Sequence, residues 1–275
     1  MSRARFAAHL GFPTPAQPLF DALIPGDDPL DHIAFAADQG FGGIADPFAA
    51  MRPTAVQVLI GRAAARRGLR MGSFLYAPFD RISAARWASP DRDHQEAVLA
   101  DVTKAIAIAM RLGSDRIAVI GLGEVGVPMA AQHRTMADTL RLAGDRAAAA
   151  GVVLAVEGVS PQRLPQMLLH GVEASAAVVR LADHPAVGLC FDTGHAAAND
   201  EDPVVLLARH RDIIATIQIA DHPGRTEMGG GSIDFAALLA EADRLELASQ
   251  PFELEHRWSQ PGAACQRDYL ARLAN

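Results

Sequence analysis

The stretch VGLCFDTGH, Val187 to His195, is a short apolar run that stops on an aspartate, turns through Thr193 and Gly194, and presents a histidine. Its length and its Val, Leu, Cys and Phe side chains suit a strand buried on both faces, as in a parallel sheet. Such a strand has no reason to end in two groups that are costly to bury unless something binds them.

Seven further runs of the same kind lie on either side of it: 5–11, 42–46, 69–77, 115–121, 151–158, 214–221 and 250–256. Amphipathic segments separate them, at 30–39, 54–67, 92–112, 131–150, 171–182, 203–211 and 235–245, with a last one over 262–274. Asp91 and Asp234 are placed to start two of these helices, and Gly40, Gly68, Gly113 and Gly151 to end others. Eight strands alternating with eight helices at a spacing of roughly thirty residues predict a parallel sheet with helical crossovers. The chain has 275 residues, and eight such units in about 250 residues make a (β/α)8 TIM barrel. No Pro/Gly/Ser-rich linker divides it, so a single barrel domain over 1–275 is expected. Period alone does not close a barrel, and a doubly wound open sheet stays open as the alternative.

Composition excludes several functions. The formal charge is −7, without a run of Lys and Arg, which argues against nucleic acid, where basic phosphate contacts dominate affinity. No apolar window reaches the ~18 residues a membrane span needs. The N-terminal segment lacks the apolar core of a secretory signal, and Cys190 and Cys265 are too few for a disulfide framework. A cytoplasmic protein with two reduced thiols is expected; a homo-oligomer is allowed but not specified. Lys104 is the sole lysine among 25 basic residues and lies mid-helix, which leaves no Schiff-base lysine for a reacting centre. The segment IAVIGLGEVG (117–126) imitates a dinucleotide fingerprint at Gly121, Gly123 and Gly126. The helical pattern resumes only near Ala131, so its N-terminus would not face a pyrophosphate, and a glycine-rich loop is the better reading.

In a barrel the reacting groups stand at the C-terminal ends of strands. The fifth run ends in Glu157, the sixth in Asp192 with His195 beyond it, and the seventh carries Gln218. The eighth carries Glu253 and Glu255 on one face. Singly, Glu157 or Asp192 could equally cap a helix, and His195 could be a satisfied helix-start histidine. Together, three carboxylates converging on one rim would raise one another's pKa unless a cation sits between them. Three carboxylates and an amide suit Mg2+ or Mn2+; Zn2+ fits less well without nitrogen or sulfur ligands. Glu255, nearer the rim, is the expected member, and Glu253, one layer deeper, is expected to pack against arginine or water.

These residues carry a resemblance. IQIADHPGRTEMGGGSIDF (217–235) is similar to the signature Q-I-A-D-x-P-G-R-x-E-x-G-x-G-x-I-(N/D)-(Y/F) of the xylose isomerase-like barrels. That superfamily holds sugar phosphate isomerases and epimerases and the family 2 AP endonucleases, and the likeness is greatest to its hydroxypyruvate isomerase branch. FDTGH and ELEHRW resemble the family's segments after strands six and eight, and the resemblance runs from the fourth strand to the C-terminus. It implies one divalent metal ion on Glu157, Asp192, Gln218 and Glu255, with Glu157 and Glu255 also moving protons from opposite sides of a substrate. His195 and Arg225 would bind substrate, Arg225 gripping a carboxylate, and Tyr76 and Glu227 would lie at the same pocket, Glu227 as an anchor of the Arg225 loop that need not touch substrate. Gln218 replaces the histidine of the ketose 3-epimerases, and the third and fourth strands lack the histidines of three-zinc endonucleases. Met228 stands where the family has proline, Tyr76 and Phe79 where it has polar residues, and His256-Arg257 where it has Tyr-Lys. The implied activity is metal-dependent aldose–ketose isomerisation of hydroxypyruvate, or a related short keto acid or sugar, through an enediolate. A ketose 3-epimerase, or a lyase acting on keto-sugars or inositol derivatives, stays open as the alternative.

Overall fold

The computed structural model describes residues 2–247 and 250–274. Its strands are β1 (Phe6–His9), β2 (Gly43–Ala45), β3 (Arg70–Met71), β4 (Arg116–Val119), β5 (Val153–Glu157), β6 (Val187–Asp192), β7 (Ile214–Ile219) and β8 (Phe252–Leu254). All pairs are parallel, and β1 lies between β2 and β8. That cyclic neighbour relation belongs to a barrel and not to a doubly wound sheet. Isolated bridges, Met71 to Ser114 and Leu75 to Ala118, close the ring between β3 and β4. There the Ala118 N–H donates to Phe74 O at 2.8 Å, and the Tyr76 N–H to Ala118 O at 3.1 Å.

Around the barrel run α1 (Pro29–Asp38), α2 (Thr54–Arg66), α3 (Phe79–Ile82), α4 (Arg92–Leu112), α5 (Met129–Ala149), α6 (Gly171–Ala182), α7 (Thr193–Ala197), α8 (Pro203–His210), α9 (Phe235–Arg244) and α10 (Ala263–Ala274). The caps are local chemistry. Asp91 Oδ1 accepts the Asp93 N–H at 2.8 Å at the start of α4, and Asp234 Oδ1 accepts the Ala237 N–H at 2.9 Å at the start of α9. Gly113, left-handed at φ 74, ends α4. The helices α3 and α7 are too short to show a period, and the sequence pattern does not reveal them.

Alternation along the strands sorts the side chains. Leu154, Val156, Leu189, Phe191, Ile217, Ile219 and Leu254 join the apolar core cluster that includes the inner faces of the helices. The other set, Ala155, Glu157, Cys190, Asp192, Thr216, Gln218 and Glu253, is buried outside that cluster and faces the barrel axis. Pairing brings Asp192 level with Gln218 and Gln218 level with Glu253. Glu157 is level with Cys190, one inward step below Asp192. The glycine-rich segment after β4 is a loop whose backbone is pinned by Gln132. That amide accepts the Glu124 N–H at 2.6 Å and donates to Glu124 O and Val127 O. The helix α5 begins only at Met129, behind Pro128. Lys104 sits on α4 with its Nζ 3.1 Å from Asp101, and both cysteines are free thiols. Among the described residues no helix is long and apolar enough to cross a membrane.

Gly158 sets how closely β5 approaches α6, because a Cβ there would lie 1.9 Å from Gly171 O and 2.6 Å from Ser175 Oγ. Backbone cannot move aside as a flexible side chain can. Gly158→Ala is therefore expected to cost about 1–3 kcal/mol, as overpacking does, and to lower the thermal midpoint by roughly 3–10 °C. An unchanged midpoint by calorimetry would show that this approach is not tight.

Candidate active site

Asp192 ends β6 and is the N-cap of α7: its Oδ1 accepts the His195 N–H at 2.7 Å. It is also the partner of Arg225, whose Nη1 and Nη2 donate to Asp192 Oδ1 at 2.9 Å and Oδ2 at 2.7 Å. Capping and site-building thus fall on one carboxylate. Burial opposes ionisation of Asp192, but Arg225 and His195 outweigh it and hold the group below its usual range. Arg225 Nη2 also lies 3.1 Å from Glu255 Oε1. Its charge is stabilised by Asp192 and Glu255 against the cost of its burial.

The two glutamates behave differently. Glu157 is raised well above the normal glutamate range, first by burial and then by Glu255 and Asp192. Glu255 is pushed up to about 7, mainly by burial, with Arg225 pulling the other way. His195 lies beside them, its Nε2 3.6 Å from Glu157 Oε1. The Ser160 N–H donates to His195 Nδ1 at 3.2 Å, so the ring proton belongs on Nε2, facing Glu157. Burial lowers this histidine to about 3; it is a neutral donor.

Glu253 sits one layer below and packs against Ser73 and Thr216, not the expected arginine. Its Oε1 accepts from the Ser73 N–H at 2.7 Å and Thr216 Oγ1 at 2.8 Å, and its Oε2 from Ser73 Oγ at 2.6 Å. Gln218 bonds to the same carboxylate, and only the amide nitrogen of Gln218 can donate. Its other end, Oε1, is buried without a hydrogen-bond partner among the described residues. An orphaned amide oxygen above a satisfied carboxylate is a donor atom held ready for a cation. Ligand atoms of Glu157, Asp192 and His195 all lie within 4.8 Å of one another. That acid–imidazole group, with the unpartnered Gln218 oxygen on the residue level with Asp192, could hold a divalent cation; Glu255, held by Arg225, is not part of the group.

Arg225, Tyr76 and Glu227 all have partners within the protein, and for Glu227 these are the loop-anchoring contacts allowed for it. The fork of Arg225, expected on a substrate carboxylate, is committed to Asp192 and Glu255, and its Nε alone is buried without a partner. Glu227 ties its loop to the segment after β8, accepting from the Ser259 N–H at 2.8 Å and Ser259 Oγ at 2.6 Å. Tyr76 is buried, and its hydroxyl accepts from Trp87 Nε1 at 3.0 Å. A cavity of about 300 Å3 opens above the carboxylates, between Ser160, Arg163, His195, His222, Arg225 and Arg257. A larger hollow lies at the opposite end of β5–β7, around Val187 and Ile214. Strand-end chemistry decides in favour of the smaller one. Sequence reasoning missed Ser160 and Arg163, which stand in the irregular loop after β5, where no period singles them out.

A family model described as the xylose isomerase-like TIM barrel matches residues 33–273. A 2-oxo-tetronate isomerase of Pectobacterium atrosepticum is 30% identical over 221 residues, covering 78% of this chain and 82% of that protein. A hydroxypyruvate isomerase of Escherichia coli is 26% identical over 166 residues, covering 56% and 62%. Among solved structures, that of an AP endonuclease, family 2, from Brucella melitensis superposes with a TM-score of 0.82 over all of both chains at 21% identity, a likeness of fold. The chain belongs to the xylose isomerase-like TIM-barrel family, among its hydroxypyruvate isomerase-like enzymes.

Proposed function

We propose that the protein is a metal-dependent isomerase that moves a carbonyl group between adjacent carbons of a short hydroxy-keto acid such as hydroxypyruvate or a 2-oxo-tetronate. The observation that carries this reading is the pair of glutamates, Glu157 buried and Glu255 half-buried, whose ionisation desolvation opposes beside a neutral, proton-donating His195. The isomerase relatives support the keto-acid class.

The chemistry needs a base for a C–H next to a carbonyl and an acid for the neighbouring carbon. A carboxylate near neutrality suits both halves, because it can take and return a proton at the working pH. One glutamate takes the proton from the hydroxyl-bearing carbon, leaving an enediolate. The former carbonyl carbon then receives a proton, the hydroxyl proton passes between the two oxygens, and the new carbonyl stands one carbon along. Atoms and electrons balance without a redox partner. His195 donates from Nε2 to the substrate oxygen, and the Nε–H of Arg225 supplies a second donor at the same rim. Glu157, Asp192, Gln218 and Glu255 would hold one divalent ion, Mg2+ or Mn2+ by their oxygen chemistry. When bound, such an ion polarises the carbonyl and steadies the developing negative charge.

Two measurements test this. Asp192→Ala removes the ligand altogether, so Mn2+ affinity by calorimetry should fall at least ~10-fold, since even outer-shell changes cost that much. Undiminished affinity would place the ion elsewhere.

Glu255→Gln keeps an oxygen ligand and removes the base. It should retain Mn2+ while turnover of hydroxypyruvate falls at least ~100-fold, the contribution expected of a general base. Solvent deuterium should enter the substrate carbon correspondingly slowly. Near-normal turnover in Glu255→Gln alongside an inactive Glu253→Gln would transfer the role to the deeper glutamate. Near-normal turnover in both would rule out the two-glutamate mechanism.

A further inference from the structure

Arg163 stands at the mouth of the cavity above the carboxylates, in the loop that follows Glu157. Its backbone N–H donates to Ser160 O at 3.0 Å, a turn that carries the side chain over the opening. The guanidinium carbon lies 4.8 Å from the centre of the Phe12 ring, and that of Arg225 lies 5.2 Å from the same ring. Two cations thus share one aromatic platform, but only Arg225 has carboxylates. Nη1 of Arg163 is buried and has no hydrogen-bond partner, and no ion pair joins the group to an acid among the described residues. Its protonated form is disfavoured by burial and then by Arg225, although Glu255, Glu157 and Asp192 attract it from a distance.

The charge balance of the site says what Arg163 lacks. Three carboxylates, Glu157, Asp192 and Glu255, face one guanidinium, Arg225. A divalent ion would bring that group to neutrality, and the half-buried Arg163 would remain as one uncompensated positive charge. Arginine cannot relieve this by losing its proton. A single negative charge brought by the ligand does relieve it, and a planar carboxylate matches the fork of the guanidinium.

We propose that Arg163, and not Arg225, is the receptor for the substrate's carboxylate and sets the preference of this site for acids over neutral sugars. The division of labour follows from the contacts: Arg225 holds Asp192 and Glu255 in place, while Arg163 has a free donor edge at the entrance. Arg257 is an exposed rim cation of the same cavity and adds field, not a buried contact. The proposal rests on the reading above for the divalent ion in the charge balance and for the choice of probe.

D-glycerate has a carboxylate and no carbonyl to isomerise, and glyceramide is its uncharged amide. Calorimetric titration of the Mn2+-supplied protein should show glycerate bound more tightly than glyceramide. Arg163→Ala should weaken glycerate roughly 10- to 100-fold, the loss of a charge-assisted contact, and leave glyceramide almost unchanged. Arg163→Lys, which keeps the charge but not the fork, should recover part of the difference. An Arg163→Ala protein that loses both ligands equally, or neither, overturns the proposal, as does a wild-type protein that does not favour glycerate. If glycerate binding depends on Arg163 but hydroxypyruvate is not turned over, the anion site stands and the isomerase reading falls.

Discussion

The burial of three carboxylates around one guanidinium is the constraint on which this molecule turns. Asp192 and Arg225 are both almost fully enclosed and meet through two parallel bonds of 2.9 and 2.7 Å. Enclosing such a pair costs desolvation that its attraction repays only with good geometry and further hydrogen bonds. The structure supplies both. Asp192 takes a third bond from the His195 N–H, and Arg225 reaches Glu255. Removing either partner would strand a charge at a cost of about 3–5 kcal/mol, so the pair is a fixed point for the elements that carry it. The strand β6, the turn into α7 and the loop after β7 meet there.

Below it lies a second polar layer that is satisfied without a cation. Glu253 accepts bonds from Ser73, Thr216 and Gln218. Gly72 allows the close approach, since a Cβ there would lie 2.9 Å from Glu253 Oε1. The layer has a directional consequence. With the amide nitrogen of Gln218 spent on Glu253, the amide oxygen cannot turn away from the rim. Two glutamates two residues apart, one on β8 and one just past its end, therefore have different surroundings. One is closed off by hydroxyls, and the other is left partly exposed beside an arginine.

Much of this was legible in the sequence, for identifiable reasons. Parallel strands buried on both faces are apolar except at their ends, so Glu157, Asp192, Gln218 and Glu255 stood out as interruptions. Aspartates at helix starts marked α4 and α9 by local chemistry. What could not be read depends on distant partners. The run 69–77 looks like one strand, yet only Arg70–Met71 is paired as one, because the Ser73 N–H turns to Glu253, 180 residues away. Closure of the barrel then falls to isolated bridges. Tyr76 and Glu227 lie in segments that suggest the pocket, but Trp87 and Ser259, which occupy them, are visible only in three dimensions.

Arginine shows the limit most clearly. Pattern can mark Arg225, which lies inside a recognisable loop, but not what its fork holds. Once that fork is seen on Asp192 and Glu255, the question of what would receive an acidic substrate reopens, and the proposed answer lies in a loop without a pattern. The barrel makes such a shift inexpensive. Its strands fix the carboxylates in a rigid ring, while the loops that follow them can place cations over the opening without disturbing the layers beneath. In this protein the strand ends hold the carboxylates, and the loop after β5 brings Ser160 to His195 and Arg163 to the entrance. Acidity of the ligand can thus be recognised separately from the chemistry done on it.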